Sequence, residues 1–151
     1  MTKLSVVIPT YERPDDLERC LHSLNPKRQS IEEEFEVLVT DDSSGMESMS
    51  LVENRFPFAS WDQGKKNGPA GNRNAGVARA KGEWIVFLDD DCFAMPEYLE
   101  AYSNAISQYP ETQVFEGRIF PDRPRITWAE GCPSNEKGGM LWTSNLCIRK
   151  D

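Results

Sequence analysis

The stretch GEWIVFLDDDCFAMPEYL, from Gly82 to Leu99, decides the fold. Its apolar run, WIVFL, is typical of a strand that is buried on both faces of a parallel sheet. The run stops at three consecutive aspartates, and a helix is predicted to follow over residues 96–108. No Lys or Arg within this stretch neutralises the three carboxylates, and like charges packed so closely repel one another.

The same order of strand, polar turn and helix is repeated on both sides of this stretch. The predicted strands cover residues 4–8, 35–40, 58–61, 84–88, 112–120 and 140–150. The predicted helices cover residues 14–24, 48–54, 70–80 and 96–108. Small residues in the third helix predict that it lies close against the sheet, with Gly82 as its C-terminal cap. Alternating strands and helices predict an α/β fold, with a mostly parallel sheet flanked by helices, in a single domain over residues 1–151.

Composition bears on the partners, the cysteine chemistry and the location of the protein. The chain has 151 residues, a net charge of −8 and a pI of about 4.7, which argues against a nucleic-acid partner. Four cysteines without C-x-x-C spacing are interpreted as reduced, mostly buried thiols, and the single histidine, His22, as a surface or boundary residue. The N-terminus lacks the pattern of a signal peptide, so we expect a cytoplasmic protein, with the inner face of the membrane as the alternative location.

Three predicted strands end in polar residues that should converge, because ligands of open α/β sheets bind beyond the carboxyl ends of the strands. These ends are Thr10-Tyr11-Glu12, Asp41-Asp42-Ser43 and Asp89-Asp90-Asp91. Taken alone, Asp41 and Asp42 are better explained as turn residues. A helix cap needs only one carboxylate, so three in a row favour a hard divalent cation, Mg²⁺ or Mn²⁺, that bridges to phosphate.

In their order and spacing, several segments resemble the nucleotide-sugar half of the family 2 glycosyltransferases, which have the GT-A fold. The segments are LSVVIPTYERPDDLERCLHSL, FEVLVTDDSS, NGPAGNRNAGVARAKGEWIVFLDDDCFAMPEYL and WTSNLCIRK. The resemblance implies a donor half over about residues 1–110 and a partial acceptor half over about residues 111–151. It also implies an inverting, metal-dependent transfer of sugar from a nucleoside-diphosphate sugar, UDP by family frequency, to a carbohydrate or lipid-linked acceptor.

The resemblance further implies roles for single residues. Pro9, Thr10, Tyr11 and Glu12 would line the nucleoside pocket, although the family commonly has Asn at the position of Glu12. Asp42, or alternatively Asp41, would accept a hydrogen bond from the base.

The remaining implied roles concern the phosphates. Arg73 would lie near the base or the diphosphate, unless it and its neighbours only pack and cap their helix. In the DXD motif of the family, Asp91 would bind the metal. Asp89 and Asp90 would contact the ribose, or reach the metal through water, with Asp89 the second metal residue.

The catalytic base is not identified, because the Glu-Asp pair that usually follows the strand Asn145 to Arg149 is absent before Asp151. We therefore expect either a fragment of a longer enzyme or a naturally short chain that binds donor without completing transfer. Glu116, Glu130 and Glu136 are candidate bases, each better explained as an ordinary surface carboxylate.

Truncation would leave Trp128 and the segment WTSNLCIRK uncovered, with Trp142, Leu146 and Ile148 exposed or buried against a second copy of the chain, and this predicts a homo-oligomer. The other classes considered are a donor-binding pseudo-enzyme, a nucleotidyltransferase and a phosphoacceptor signalling domain. The turn PTYERPDD is neither Gly-rich nor basic, which disfavours the nucleotidyltransferase, and the late strands lack the Lys that a phosphoacceptor domain requires.

Overall fold

A computed structural model of the chain describes residues 4–129, 131 and 133–150. Its strands are β1 (Leu4–Thr10), β2 (Phe35–Asp41), β3 (Ala59–Gln63), β4 (Trp84–Leu88), β5 (Val114–Glu116) and β6 (Asn145–Arg149). Its helices are α1 (Pro14–Ser23), α2 (Glu47–Arg55), α3 (Gly68–Arg79) and α4 (Tyr98–Gln108).

The six strands form one sheet in the order β3-β2-β1-β4-β6-β5. The strands β1 to β4 run parallel to their neighbours, whereas β6 pairs antiparallel with both β4 and β5. The predicted α/β class and the mostly parallel sheet are confirmed. Because β6 pairs with β4, the predicted donor and acceptor halves contribute to the same sheet.

Both faces of the central strands are covered, which explains their unbroken apolar runs. In β1, Val6 and Ile8 point to the face that packs on α1, α2 and α4, while Val7 points to the face covered by α3. The same alternation separates Val86 from Phe87 in β4. The sheet is therefore the middle layer of three, and its strand ends remain free for a ligand.

Helix α3 lies close to the sheet, as its small residues predict. A Cβ atom at Gly76 would lie 2.5 Å from Cγ1 of Val7, so a larger residue has no room there. The prediction that Gly82 caps this helix is wrong, because Ala80 is the capping residue. Gly82 instead passes β1 so closely that a Cβ atom would lie 2.9 Å from the backbone of Leu4 and Ser5.

The predicted strand over residues 112–120 is shorter in the structure, ending at Glu116. The side chain of Asn145 takes up the space beside Gly117, where a Cβ atom would lie 2.2 Å from its Nδ2. That amide donates to the carbonyl of Arg118 at 2.7 Å, and the segment then pairs at Ile119 with Asn135 instead of with β6. The fourth helix begins at Tyr98 rather than at residue 96. It follows a turn in which the backbone N–H of Tyr98 donates to the carbonyl of Met95.

Cys20 and Cys147 are buried free thiols and Cys92 is half-buried, while Cys132 lies outside the described residues. Burial raises the pKa of Cys147 to about 12, so this thiol stays protonated. His22 is exposed, as predicted.

Two other features bear on the predicted exposure and location. Trp142, Leu146 and Ile148 are half-buried, whereas Trp128 is 88% exposed, and self-association stays a prediction. None of the described helices is both long and apolar enough to span a membrane.

Candidate functional site

A cavity of about 740 Å³ opens at the carboxyl ends of β1, β2 and β4, where the sequence predicts that polar strand ends converge. Its lining residues are Pro9, Thr10, Tyr11, Arg13, Asp42, Ser44, Lys66, Gly68, Pro69, Asn72, Arg73, Asp89, Asp90 and Asp91. The three strands are neighbours in the sheet, with β1 between the other two. The cavity therefore extends across three strand ends.

The end of β1 supplies a buried hydroxyl and an exposed ring. Thr10 is buried and its hydroxyl donates to Oδ2 of Asp90 at 2.7 Å, which ties β1 to the turn after β4. Tyr11 is 59% exposed on the cavity wall. Glu12 has a φ angle of +51°, and its backbone N–H donates to Oγ of Ser43 at 2.6 Å. Its side chain is exposed and is not part of the cavity wall.

The two aspartates after β2 have different surroundings. Asp41 is completely buried, and its carboxylate accepts the backbone N–H of Ser43 at 2.7 Å and the Trp61 indole N–H at 3.3 Å. Asp42 lines the cavity, and its carboxylate accepts the backbone N–H groups of Lys66 at 2.8 Å and Gly68 at 3.0 Å. The geometry therefore favours Asp42 over Asp41 as the residue that faces a ligand.

The start of α3 forms one wall of the cavity around Asp42. Gly68 is the first residue of α3, so Asp42 caps this helix from another strand, at the helix end that favours negative charge. Asn72 is buried and its Nδ2 is 3.5 Å from the carbonyl of Thr10, while its Oδ1 has no hydrogen-bond partner. A Cβ atom at Gly64 would lie 2.1 Å from Oδ1 of Asp42 and 2.3 Å from Oδ1 of Asn72. Only glycine fits beside these two oxygens.

Residues 89–91, which we call the acidic turn, are neutralised by residues distant in the sequence. Arg73, only 17% exposed, holds Oδ1 of Asp89 at 2.5 Å. Arg13 lies 3.5 Å from Oδ1 of Asp90 and 3.3 Å from Oδ2 of Asp91. The stretch from Gly82 to Leu99 contains no neutralising Arg or Lys, because the fold brings both arginines from other elements.

The three carboxylates of the acidic turn differ in exposure. The side chain of Asp90 is 7% exposed, that of Asp89 is 31% exposed and that of Asp91 is 53% exposed. Burial raises the pKa of Asp90, while the Thr10 hydroxyl and the Arg13 guanidinium lower it in part. Asp91 is therefore the carboxylate of this turn with most access to a ligand.

The acidic turn fits a hard divalent cation in part. Among residues 4–129, 131 and 133–150, no three His, Cys, Asp or Glu side chains are grouped so that they alone could hold a metal ion. Asp91 nevertheless offers a half-exposed carboxylate, and Asp89 has one oxygen beyond the one that Arg73 holds. Mg²⁺ is usually bound by one or two carboxylates together with substrate phosphates, and this donor set matches that pattern.

Glu116, one of the candidate bases, organises a loop. Its carboxylate accepts Nδ2 of Asn135 at 2.6 Å and the backbone N–H groups of Gly139 at 2.5 Å and Met140 at 3.2 Å. Desolvation acts to raise the pKa of Glu116, but these and further backbone hydrogen bonds lower it overall. A carboxylate held in this way is an anchor for the loop after β5. Glu136 is exposed, and Glu130 lies outside the described residues.

The cavity brings together most of the residues that the sequence predicts for binding, with Glu12 and Asp41 outside its wall. Their roles in binding stay predictions. Arg13, Asn72 and Lys66 also line the cavity, although none of them is among the single residues predicted for binding. Arg13 follows the end of β1 and Asn72 precedes Arg73, so proximity to predicted site residues was the available signal.

The family described as Glycosyl transferase family 2 matches residues 5–143 of the chain. An uncharacterized glycosyltransferase of Haemophilus influenzae is 35% identical over 107 residues, which are 71% of this chain and 35% of that protein. The GalNAc(5)-diNAcBac-PP-undecaprenol beta-1,3-glucosyltransferase of Campylobacter jejuni is 38% identical over 97 residues, covering 60% of this chain and 30% of that protein. The chain thus spans about a third of the length of these curated relatives.

Among solved structures, Staphylococcus aureus TarS 1–349 superposes with a TM-score of 0.72 and 27% identity, over 83% of this chain and 38% of that one. Its complex with UDP-GlcNAc superposes with a TM-score of 0.68 and 27% identity, over 87% and 37% of the two chains. These likenesses support the resemblance of the motifs to family 2 over the nucleotidyltransferase and the phosphoacceptor signalling domain. The chain belongs to glycosyl transferase family 2.

Proposed function

We propose that this chain binds the donor of an inverting, metal-dependent glycosyltransferase that takes sugar from a UDP-sugar. One observation carries the proposal: a single cavity has hydrogen-bond acceptors at Asp42 and, beside β4, the acidic turn with two arginines. These groups match the two unlike parts of a nucleoside diphosphate, a base with N–H donors and a charged diphosphate. Members of the family commonly use a divalent metal.

The spacing of the strand ends suits a nucleoside. Asp42 follows β2 and the acidic turn follows β4, and these strands lie on opposite sides of β1. Neighbouring strands are about 4.8 Å apart, so the two strand ends are roughly 10 Å apart, a separation comparable to the length of a nucleoside. Tyr11, exposed at the end of β1 between them, can pack against the base or the ribose.

The diphosphate end of the cavity depends on charge. Arg73 and Arg13 supply guanidinium groups, which recognise phosphate oxygens by paired hydrogen bonds. Asp91, with Asp89, would hold Mg²⁺ or Mn²⁺. When bound, such a cation supplies Lewis-acid stabilisation of the negative charge that develops on the leaving diphosphate.

In the proposed reaction, the bond between the anomeric carbon and the diphosphate oxygen breaks while an acceptor hydroxyl oxygen forms a new bond from the opposite face. The hydroxyl proton passes to a carboxylate base, and the diphosphate leaves with the bonding electrons. Glu116 is poorly suited as that base, because hydrogen bonds from four groups lower the pKa of its carboxyl. We propose a carbohydrate or lipid-linked acceptor, in line with the undecaprenol-linked substrate named for the Campylobacter relative, and therefore a cytoplasmic site near the membrane.

Donor binding is tested by thermal unfolding with UDP, GDP, dTDP and CDP, each with and without Mn²⁺. At a ligand concentration of 100 times Kd, binding stabilises a protein by about 2.7 kcal/mol, which for this size raises Tm by roughly 5–10 °C. We expect this shift with UDP and Mn²⁺ together, and its loss on Asp91→Ala. Asp122→Ala removes an exposed carboxylate outside the cavity wall and is the matched control.

A shift of the same size in the presence of a chelator would remove the metal from the proposal, and no shift with any of the four nucleotides would remove the proposal itself. The alternative function is donor binding without transfer, by a fragment or a pseudo-enzyme. Release of UDP from UDP-sugars, with hydrolysis as the minimal reaction, distinguishes it from an enzyme. A chain that binds UDP but releases no UDP from any UDP-sugar would bind donor without transferring sugar.

A further inference from the structure

We propose that Arg13 is an exchangeable counter-ion of the acidic turn. In the chain without donor it occupies the carboxylates of Asp90 and Asp91, and on donor binding it transfers to the diphosphate and leaves Asp91 to a divalent cation. This inference rests on the proposed function for the identity of the ligand. Arg13, which is not among the residues predicted from the sequence, would then control when the acidic turn accepts a metal ion.

The two arginines at the acidic turn differ in how firmly they are held. Arg73 is 17% exposed and lies 2.5 Å from Asp89, within the length of a strong charge-assisted hydrogen bond. Arg13 is 53% exposed and reaches its two partners at 3.5 Å and 3.3 Å, at the long end of ion-pair contact. Asp91 is also 53% exposed, so this pair is a solvent-screened one that dissociates readily. Arg73 is a fixed partner and Arg13 a replaceable one.

Only the side chain of Arg13 has to move. Its carbonyl accepts the backbone N–H of Leu17 at 3.0 Å in the first turn of α1, which fixes the backbone. The residue lines the cavity, so its guanidinium can reach a diphosphate held there by changing rotamer. A long, unbranched side chain on a fixed backbone is suited to exchange between two anionic partners.

The charge count shows why the exchange matters. Three carboxylates face two guanidinium groups, so the acidic turn carries a net charge of about −1 when Arg13 is in place. Removal of Arg13 leaves about −2 and frees Oδ2 of Asp91, while Oδ1 stays 3.8 Å from Sγ of Cys92. A unit positive charge about 5 Å from a divalent cation weakens its binding by roughly tenfold in water. Arg13 should therefore oppose metal binding in the free chain and support it once a diphosphate is present.

The test separates the two effects by measuring Mn²⁺ binding without nucleotide, from the EPR signal of free Mn²⁺ during a titration. We expect Arg13→Gln to bind Mn²⁺ about tenfold more tightly than the wild type, and Arg13→Lys to lie between them. Adding Asp91→Asn to Arg13→Gln should abolish the gain. Arg28→Gln removes the same charge from an exposed position outside the cavity wall and should leave Mn²⁺ affinity unchanged.

The second measurement is UDP binding at saturating Mn²⁺ by calorimetry, where we expect Arg13→Gln to bind UDP about tenfold more weakly. A merely structural role would weaken both ligands, and thermal unfolding of each variant checks that it is folded. Equal or weaker Mn²⁺ binding by Arg13→Gln, or an equal gain in Arg28→Gln, overturns the inference. If the wild type binds no nucleotide with Mn²⁺, the proposed function fails instead.

Discussion

Replacement of Glu12 by Asn should make the protein more stable. Glu12 has a φ angle of +51°, in the left-handed region that L-residues with a side chain rarely adopt. Its exposed carboxylate makes no hydrogen bond or ion pair with the described residues, so no side-chain contact offsets the strain. The backbone cannot relax easily, because the N–H of Glu12 donates to Oγ of Ser43 at 2.6 Å.

The size of the effect follows from backbone preferences. The left-handed conformation costs an ordinary L-residue about 1–2 kcal/mol, and Asn is several-fold enriched in it, which corresponds to roughly 1 kcal/mol. For a chain of this length, that gain raises Tm by about 2–4 °C. The resemblance to family 2 is consistent with this argument, since the family commonly has Asn at this position.

The assay is thermal and urea unfolding of Glu12→Asn beside Glu12→Gln. Gln removes the same negative charge as Asn, but it has no comparable preference for the left-handed region, so the difference between the variants isolates the backbone term. We expect Asn to gain about 1 kcal/mol over Gln. If Gln gains as much as Asn, the effect is one of charge in an acidic protein; if Asn gains nothing over the wild type, the assigned strain is absent.

Two further predictions concern packing and the loop after β5. Gly76→Val should lower the free energy of unfolding in urea by about 1–3 kcal/mol, because its Cβ would lie 2.5 Å from Cγ1 of Val7. Gly131→Val, where a Cβ meets no atom within 4 Å, should change it far less, and equal losses would contradict the close packing of α3. The lowered pKa of Glu116 means that its ionised carboxylate stabilises the loop after β5 fully above the ordinary pKa of about 4.3. This stabilisation is lost as the pH falls through the lower pKa of the folded state. Below that pH, the amide hydrogen of Gly139 should therefore exchange faster with solvent in the wild type, after correction for intrinsic rates. In Glu116→Gln, its exchange should not change with pH in this way. Protection that is independent of pH in both chains would count against the anchor.

Local patterns were sufficient for the fold because each element carries its own signal. The apolar runs of β1, β2 and β4 could be recognised directly, since strands covered on both faces need no alternation to be identified. The segment 112–120 was overestimated for a non-local reason. Its β-like residues continue past Glu116, but the pairing with β6 ends where the Asn145 side chain donates to the carbonyl of Arg118, and Ile119 pairs with Asn135 instead.

The site was predicted less completely, because its charges are balanced across the fold. The acidic turn looked unpaired in the sequence, and a bound cation was the natural explanation. In the structure, Arg13 from the start of α1 and Arg73 from α3 already neutralise much of it. A metal ion therefore has to compete with an arginine, a property that depends on the distance between two elements and has no counterpart in any local motif.

The choice between Asp41 and Asp42 follows from side-chain alternation along β2 once the face of the sheet that α3 covers is known. Side chains alternate between the faces of a strand, so Asp41 shares a face with Val37 and Val39, and Asp42 continues the opposite series after Leu38 and Thr40. Val37 and Val39 pack in the cluster with α1, which is the buried side where Asp41 meets Trp61. The other face is covered by α3, whose first residue, Gly68, donates to Asp42. Because α3 comes after β3 and returns across the sheet, the aspartate on its face has to be the one that reaches the helix N-terminus and the cavity beside it. The same parity argument predicts that Asp42→Asn weakens UDP binding in the titration described above more than Asp41→Asn does in any variant that still folds.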